Sequence, residues 1–175
     1  MKIRLAVALS AAFLASAAFD AGAAKQPRIE ADAYQGRTEQ DAAKVLLEHA
    51  LAQAGKGSWE RIAVGRVFYL GGHKPEGRAI FDAILGGKHE DSDIYRIARV
   101  YAEAGEWNLA KPMFDSYVES NPKDEKALAE VGAHYLLNGD RAGAERLFER
   151  SFAIAPEIWA TVAAAGAYLK VAPQE

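Results

Sequence analysis

The chain has 175 residues, half of them hydrophobic and 26% charged, with a formal net charge of −3 and no cysteine. The absence of cysteine excludes disulfides, thiolate metal sites and a thiol nucleophile. The near-balanced, slightly acidic charge gives no electrostatic footprint for nucleic acid or an anionic membrane as partner.

The first element in chain order is a leader. Lys2 and Arg4 precede an apolar or small stretch from Leu5 to Phe19, and Ala21-Gly22-Ala23 follows as a small-x-small cleavage site. This order of basic, apolar and cut-site regions predicts a signal peptide over residues 1–23, cleaved on export to a periplasm. The apolar stretch is shorter than the ~20 residues a membrane-spanning helix needs, and with no cysteine behind it there is no lipid anchor. Residues 24–37, with Pro27 and Gly36, read as a flexible tether. Residues 38–57 read as an N-terminal helix or a degenerate half-repeat. Thr38 is its N-cap with Asp41 three residues on, and Val45, Leu46, His49, Ala50 and Gln53 form its largely apolar stripe. Gly55-Lys56-Gly57 stops it. From there to residue 175 the chain reads as pairs of helices: 58–70 with 74–85, 91–104 with 106–119, and 123–138 with 140–154. A lone final helix spans 157–171.

These pairs repeat. Gly65, Ala98, Gly132 and Gly166 are spaced 33, 34 and 34 residues apart, and Phe68, Tyr101, Tyr135 and Leu169 keep step with them. So do Gly72, Gly105 and Gly139, then Gly77, Ala110 and Ala144, then Phe81, Phe114 and Phe148. A fixed period of about 20–50 residues is the signature of stacked-repeat architecture. The residue types supply the reason. Small side chains let two helices approach to the ~8–10 Å that close packing prefers, and the rings fill the space beside them. Gly72, Gly105 and Gly139 fall where each first helix ends, a place that favours a left-handed residue. One pair cannot bury its apolar face alone, so neighbours stack into a continuous core. The expected fold class is an all-α solenoid.

This pattern resembles the tetratricopeptide repeat (TPR), with small residues at repeat positions 8 and 20, aromatics at 11 and 24, and proline at 32. Repeats numbered from Ser58, Asp91 and Glu125 place the residues above at the matching positions, joined by Pro122 and Pro156 at the repeat ends. The chain departs at position 27, where the usual Ala is Ile84, Tyr117 and Ser151, and at position 4, where Arg61, Ile94 and Leu128 stand. Repeat one lacks the closing proline and is one residue short. The resemblance implies a right-handed superhelix whose first helices line a concave groove. Its groove positions map onto Trp59, Ile62, Arg66, Tyr69, Tyr95, Arg99 and Leu136. Arg66 and Arg99 hold equivalent places in adjacent repeats, about one helix spacing or ~10 Å apart. Guanidinium forks grip carboxylates, so the expected partner is a protein or peptide segment with an acidic group, and the expected role a scaffold or adaptor of the cell envelope. The family's carboxylate clamp is not carried over, because Arg66 and Arg99 stand where it often has Asn and Ala129 and Ala133 where it needs polar groups. The alternative is a self-associating structural protein of an envelope or secretion complex. The last helix leaves a homodimer open, since Ala160, Ala163, Ala164, Ala165 and Ala167 make it small-faced beside Trp159, Val162, Tyr168 and Leu169.

Nothing in the sequence forms a catalytic constellation: there is no nucleophile elbow, phosphate-cradling loop or His-Glu-x-x-His helix. The chain is expected to be no enzyme and to carry no cofactor or metal. The four histidines, His49, His73, His89 and His134, share no short helical spacing, and His134 is expected to be a satisfied packing residue. The run His89-Glu90-Asp91-Ser92-Asp93 lacks the glycine and alternation of a calcium loop.

Overall fold

The computed structural model describes residues 28–174. The leader expected over residues 1–23 lies outside them, as does the start of the tether. Every regular element among the described residues is helical. A single 3-10 turn at Ala31–Ala33 is followed by α1 (Glu39–Ala54), α2 (Ser58–Leu70), α3 (Lys74–Leu85), α4 (Asp91–Glu103), α5 (Trp107–Ser120), α6 (Glu125–Leu137), α7 (Arg141–Ile154) and α8 (Ile158–Tyr168). The all-α class is therefore correct. None of these helices is long and apolar enough to cross a membrane.

Local chemistry sets the boundaries. The Thr38 hydroxyl accepts from the Asp41 N–H. Asp124, Asp140 and Glu157 cap α6, α7 and α8 by accepting from the Ala127, Gly143 and Ala160 N–H groups at 2.8, 2.8 and 2.7 Å. Each such cap satisfies one of the orphan donors of a helix start. The first helices end alike: His73, Glu106 and Asp140 donate from their backbone N–H to the carbonyls of Phe68, Tyr101 and Tyr135 at 2.8, 2.8 and 3.0 Å. This closure needs a left-handed residue just before the donor, and Gly72, Gly105 and Gly139 supply it with φ of 94°, 74° and 89°.

The helices pack most closely within the hairpins α2–α3, α4–α5 and α6–α7 and between α6 and α8. Small residues and rings interlock where they meet. A β-carbon on Gly65 would stand 2.6 Å from Phe81 Cε1, and one on Gly132 would stand 2.7 Å from Phe148 Cε1 and 3.2 Å from the Ala144 carbonyl oxygen. Ala98, Ala110 and Ala144 are fully buried, as are Phe81 and Phe114. Tyr101 joins the first hairpin to the second, its ring 5.3 Å from that of Tyr69 and 5.8 Å from that of Phe81. Tyr135 does the same one hairpin later, 5.2 Å from Trp107. Ser151, at the position where the resemblance expects Ala, donates its hydroxyl to the Glu125 carbonyl at 2.6 Å and so ties α7 to the start of α6.

Three elements differ from expectation. The segment read as tether holds the 3-10 turn, with Ala33 buried against the fold. In α1, Leu47, Ala50 and Leu51 are the residues that pack on the core; of the predicted stripe only Ala50 is among them, while Val45, Leu46 and His49 are half-buried and Gln53 is exposed. The last helix ends at Tyr168 rather than residue 171. There Lys170 takes a left-handed φ of 65° and the Val171 N–H closes on the Gly166 carbonyl at 2.9 Å, the same closure as in the hairpins but without a glycine to announce it.

Candidate functional site

The seven residues expected to line a groove divide into two groups. Ile62, Tyr69, Tyr95 and Leu136 are buried, between 1% and 8% exposed, and belong to the core. Their large apolar bodies lie at the edge of each first helix's inward stripe and turn under the neighbouring helix. Tyr69 packs on Phe81 and Tyr101, and its hydroxyl donates to Glu106, which also accepts from Lys74 at 2.5 Å. Burial, then the Glu106 bond, raises the Tyr69 hydroxyl above its ordinary range. Tyr95 contacts Phe114 and Tyr117.

Trp59, Arg66 and Arg99 keep contact with solvent. Trp59 is 59% exposed, and the Arg96 guanidinium lies over its ring at 3.4 Å. Arg66 grips Glu103 with two bonds, that from Nε measuring 2.8 Å. This pair bridges α2 to α4, and both its side chains are 47% exposed. Arg99 Nη2 lies 3.4 Å from the Pro173 carbonyl oxygen, so the segment after α8 returns to the face that carries the arginines. Beside them Ala63, Val67 and Leu70 are exposed on α2. With Trp59 and Arg66 they form one stripe at helical spacing. Val67 and Ala63 were legible only in that spacing, and the Trp59–Arg96 stack has no sequence signal.

In the third hairpin Ala129 and Ala133 are fully buried. α8 packs along α6 as closely as α5 packs on α4, while touching α7 only lightly. Its own small residues allow this: Ala160, Ala163, Ala164 and Ala167 are buried on one stripe. The opposite stripe is apolar and uncovered, with Ile158, Trp159, Val162 and Leu169 between 51% and 77% exposed. Phe152 and Ile154 at the end of α7, Tyr168, and Val171 beyond α8 are exposed as well.

Beneath the arginines lies a buried polar cluster. The His134 ring stacks on Phe114 with centroids 4.7 Å apart, and its Nε2 has no hydrogen-bond partner among the described residues. The expected packing role is correct, but the ring is not fully satisfied. Burial, helped by the positive charge of Arg99, lowers its pKa from 6.5 to about 4. Burial raises the Glu130 carboxyl, against the pull of Lys126. The sign of the pH effect follows. Between pH 6.5 and about 4 the unfolded chain protonates His134 and the folded chain does not, so acidification removes stability at about 1.4 kcal/mol per pH unit. Glu130 opposes this at the acid end of the window, where its protonation relieves the folded state. Its shift is the smaller, so His134 decides the slope. Urea unfolding near pH 7 and near pH 5 is expected to show a loss of roughly 2 kcal/mol for the parent and a much smaller one for His134→Phe. Equal losses would contradict it.

Among the described residues no group of three or more His, Asp or Glu side chains is placed to hold a metal ion. Asp93 and Glu90 of the oxygen-rich run instead serve the start of α4, where the Glu90 N–H donates to Asp93 Oδ2 at 3.1 Å. A cleft lined by Asp115, Glu119, Tyr135, Arg146 and Arg150 is shallow and open, and Asp115 is engaged there by Lys111 and Tyr135.

No family model matches the chain, and neither a curated protein nor a solved structure does so.

Proposed function

We propose that the chain is a protein-interaction module of the tetratricopeptide type, exported to a bacterial periplasm, and that it holds an acidic segment of another protein on the inner wall of a right-handed stack, across α2 and α4. The observation that carries this reading is the present occupancy of the two arginines. Arg66 forks onto the Glu103 carboxylate and Arg99 approaches the Pro173 carbonyl. Those are the two groups that an acidic peptide offers, a side-chain carboxylate and a main-chain oxygen. A half-exposed ion pair is worth only about 0–1 kcal/mol, so a ligand carboxylate exchanges with Glu103 at small cost. Trp59, Ala63, Val67 and Leu70 supply the apolar contact beside it, as in recognition of a helix or extended segment along a groove. The basic and apolar regions at the start of the sequence support export.

Affinity capture from an envelope extract, with the parent and an Arg66→Ala, Arg99→Ala variant as parallel baits, tests this. A protein held by the parent and reduced several-fold on the variant is expected, since each half-exposed ion pair contributes up to about 1 kcal/mol. The same proteins at the same level on both baits would contradict it.

A further inference from the structure

The segment after α8 is placed by the same register as the hairpins. Gly65 and Gly132 make room for Phe81 and Phe148, rings of their partner helices. Gly166 holds the equivalent place in α8, and no second helix follows α8 among the described residues. A β-carbon on Gly166 would stand 3.2 Å from the Val171 carbonyl oxygen and 3.8 Å from Val171 Cβ. Val171 therefore covers the notch. Its N–H closes on the Gly166 carbonyl at 2.9 Å, and left-handed Lys170 makes the reversal. Because α8 lies along α6, the reversed chain crosses to α4. Proline fixes its own φ and biases the residue before it to an extended conformation. Pro173 is half-buried, with its carbonyl oxygen 3.4 Å from Arg99 Nη2. Residues 171–174 thus meet Arg99 as a short extended peptide would, through a main-chain oxygen.

We propose that residues 171–174 are a built-in competitor for the Arg99 end of the groove, and that an acidic segment of a partner displaces them to bind. The inference rests on the groove reading and adds its regulation. Two features suit a competitor. The contact with Arg99 is long for a hydrogen bond, and Val171, Ala172 and Gln174 are exposed, so little burial opposes release. The anchor is also separate from the contact. The closure on Gly166 keeps the segment beside Arg99 after that contact opens, at a high effective concentration. A carboxylate bonds a guanidinium more strongly than a neutral carbonyl does, which sets the direction of the exchange. Such a competitor lowers the apparent affinity for a partner in proportion to the time that Arg99 is covered.

The chain contains no cysteine, so a nitroxide on Ala172→Cys, an exposed position, reports on this segment alone. Its spectrum is expected to show restricted motion in the otherwise parent chain and freer motion once Arg99→Ala is added. A label equally mobile in both overturns the proposal. The competition is read with a short fluorescent peptide of leucine and glutamate, titrated into the parent and into an Ala172→Gly, Pro173→Gly variant. The two glycines leave α8 and its closure on Gly166 in place and loosen the segment, because glycine adds conformational freedom that docking must remove. Circular dichroism checks that the variant folds. The variant is expected to bind the peptide roughly threefold more tightly than the parent, and saturating peptide is expected to free the nitroxide. Equal affinities overturn the competition and leave the groove reading standing. A peptide that binds neither chain overturns the groove reading, and the competition with it.

Discussion

Replacing Phe114 by alanine is expected to destabilise the fold by about 3–5 kcal/mol. The ring is fully buried, and it sits in the middle hairpin with neighbours on both sides. It stacks on His134 of α6 at 4.7 Å, meets Tyr95 of α4 at 5.7 Å and lies 5.9 Å from Trp107. Removing it loses its burial and opens a cavity whose walls are the rigid helices α4, α5 and α6, so collapse recovers little. Each ring pair adds about 0.5–1.5 kcal/mol beyond burial. Against a total stability of about 5–15 kcal/mol for a domain, this is a large fraction. The deletion also bares one face of His134, whose lowered pKa rests on its burial. The imidazole is therefore expected to titrate nearer its ordinary 6.5 in the variant, which NMR of the ring protons reads directly. Urea unfolding with a loss below about 1 kcal/mol, well under the usual range for a buried ring, would contradict this packing.

Gly77→Ala is the second large effect, and its cause is geometric. The added methyl would stand 2.7 Å from the Gly65 carbonyl oxygen, 2.8 Å from Tyr69 Cβ and 2.8 Å from the Tyr69 nitrogen. Two of these are backbone atoms of α2 and the third is anchored to it, so no side-chain rotation relieves the contact and α3 must move away from α2. Overpacking of this kind costs about 1–3 kcal/mol. The gain in helix propensity returns at most ~1 kcal/mol, and the net sign is destabilising. The equivalent Ala110 and Ala144 already carry that methyl. The cost at Gly77 therefore reflects the closer approach of a hairpin with glycine on both helices. A thermal midpoint lowered by a few degrees is expected, and an unchanged or raised midpoint would show that α2 and α3 have room to spare.

Helix positions were legible in this sequence to within a residue or two because the punctuation is chemical. Gly57 and Gly71 bracket α2, Pro75 opens α3, and Asp124 and Asp140 cap the helices that follow them. The end of α8 was not legible, because Lys170 takes the left-handed turn that elsewhere belongs to glycine. The face that carries Arg66 and Arg99 was legible only in part. Position within a repeat put Ile62, Tyr69, Tyr95 and Leu136 beside Arg66 and Arg99, but size and polarity decide which way a side chain at the rim turns. The four large ones turned under the neighbouring helix, and the cations stayed at the surface. The Arg66–Glu103 fork joins residues 37 apart and the Arg99–Pro173 contact residues 74 apart, and separations of this kind leave no periodic trace. The two faces of α8 were visible as composition, small against bulky, but which of them the fold covers depends on α6.

Each hairpin depends on one contact, a small residue on the first helix that makes room for a ring on the second, and the candidate surface on α2 and α4 is presented by helices held in this way. A double-mutant cycle on Gly65→Ala and Phe81→Leu measures it most directly. The three atoms nearest a β-carbon on Gly65 all belong to side chains, Phe81 Cε1 and Cδ1 at 2.6 and 3.2 Å and Ile80 Cγ2 at 3.3 Å, so trimming the ring should relieve the clash. The double variant is expected to be more stable than the sum of the single losses by about 1 kcal/mol or more. Losses that add to within ~0.3–0.5 kcal/mol, as distant sites do, would mean that glycine and ring do not share that space.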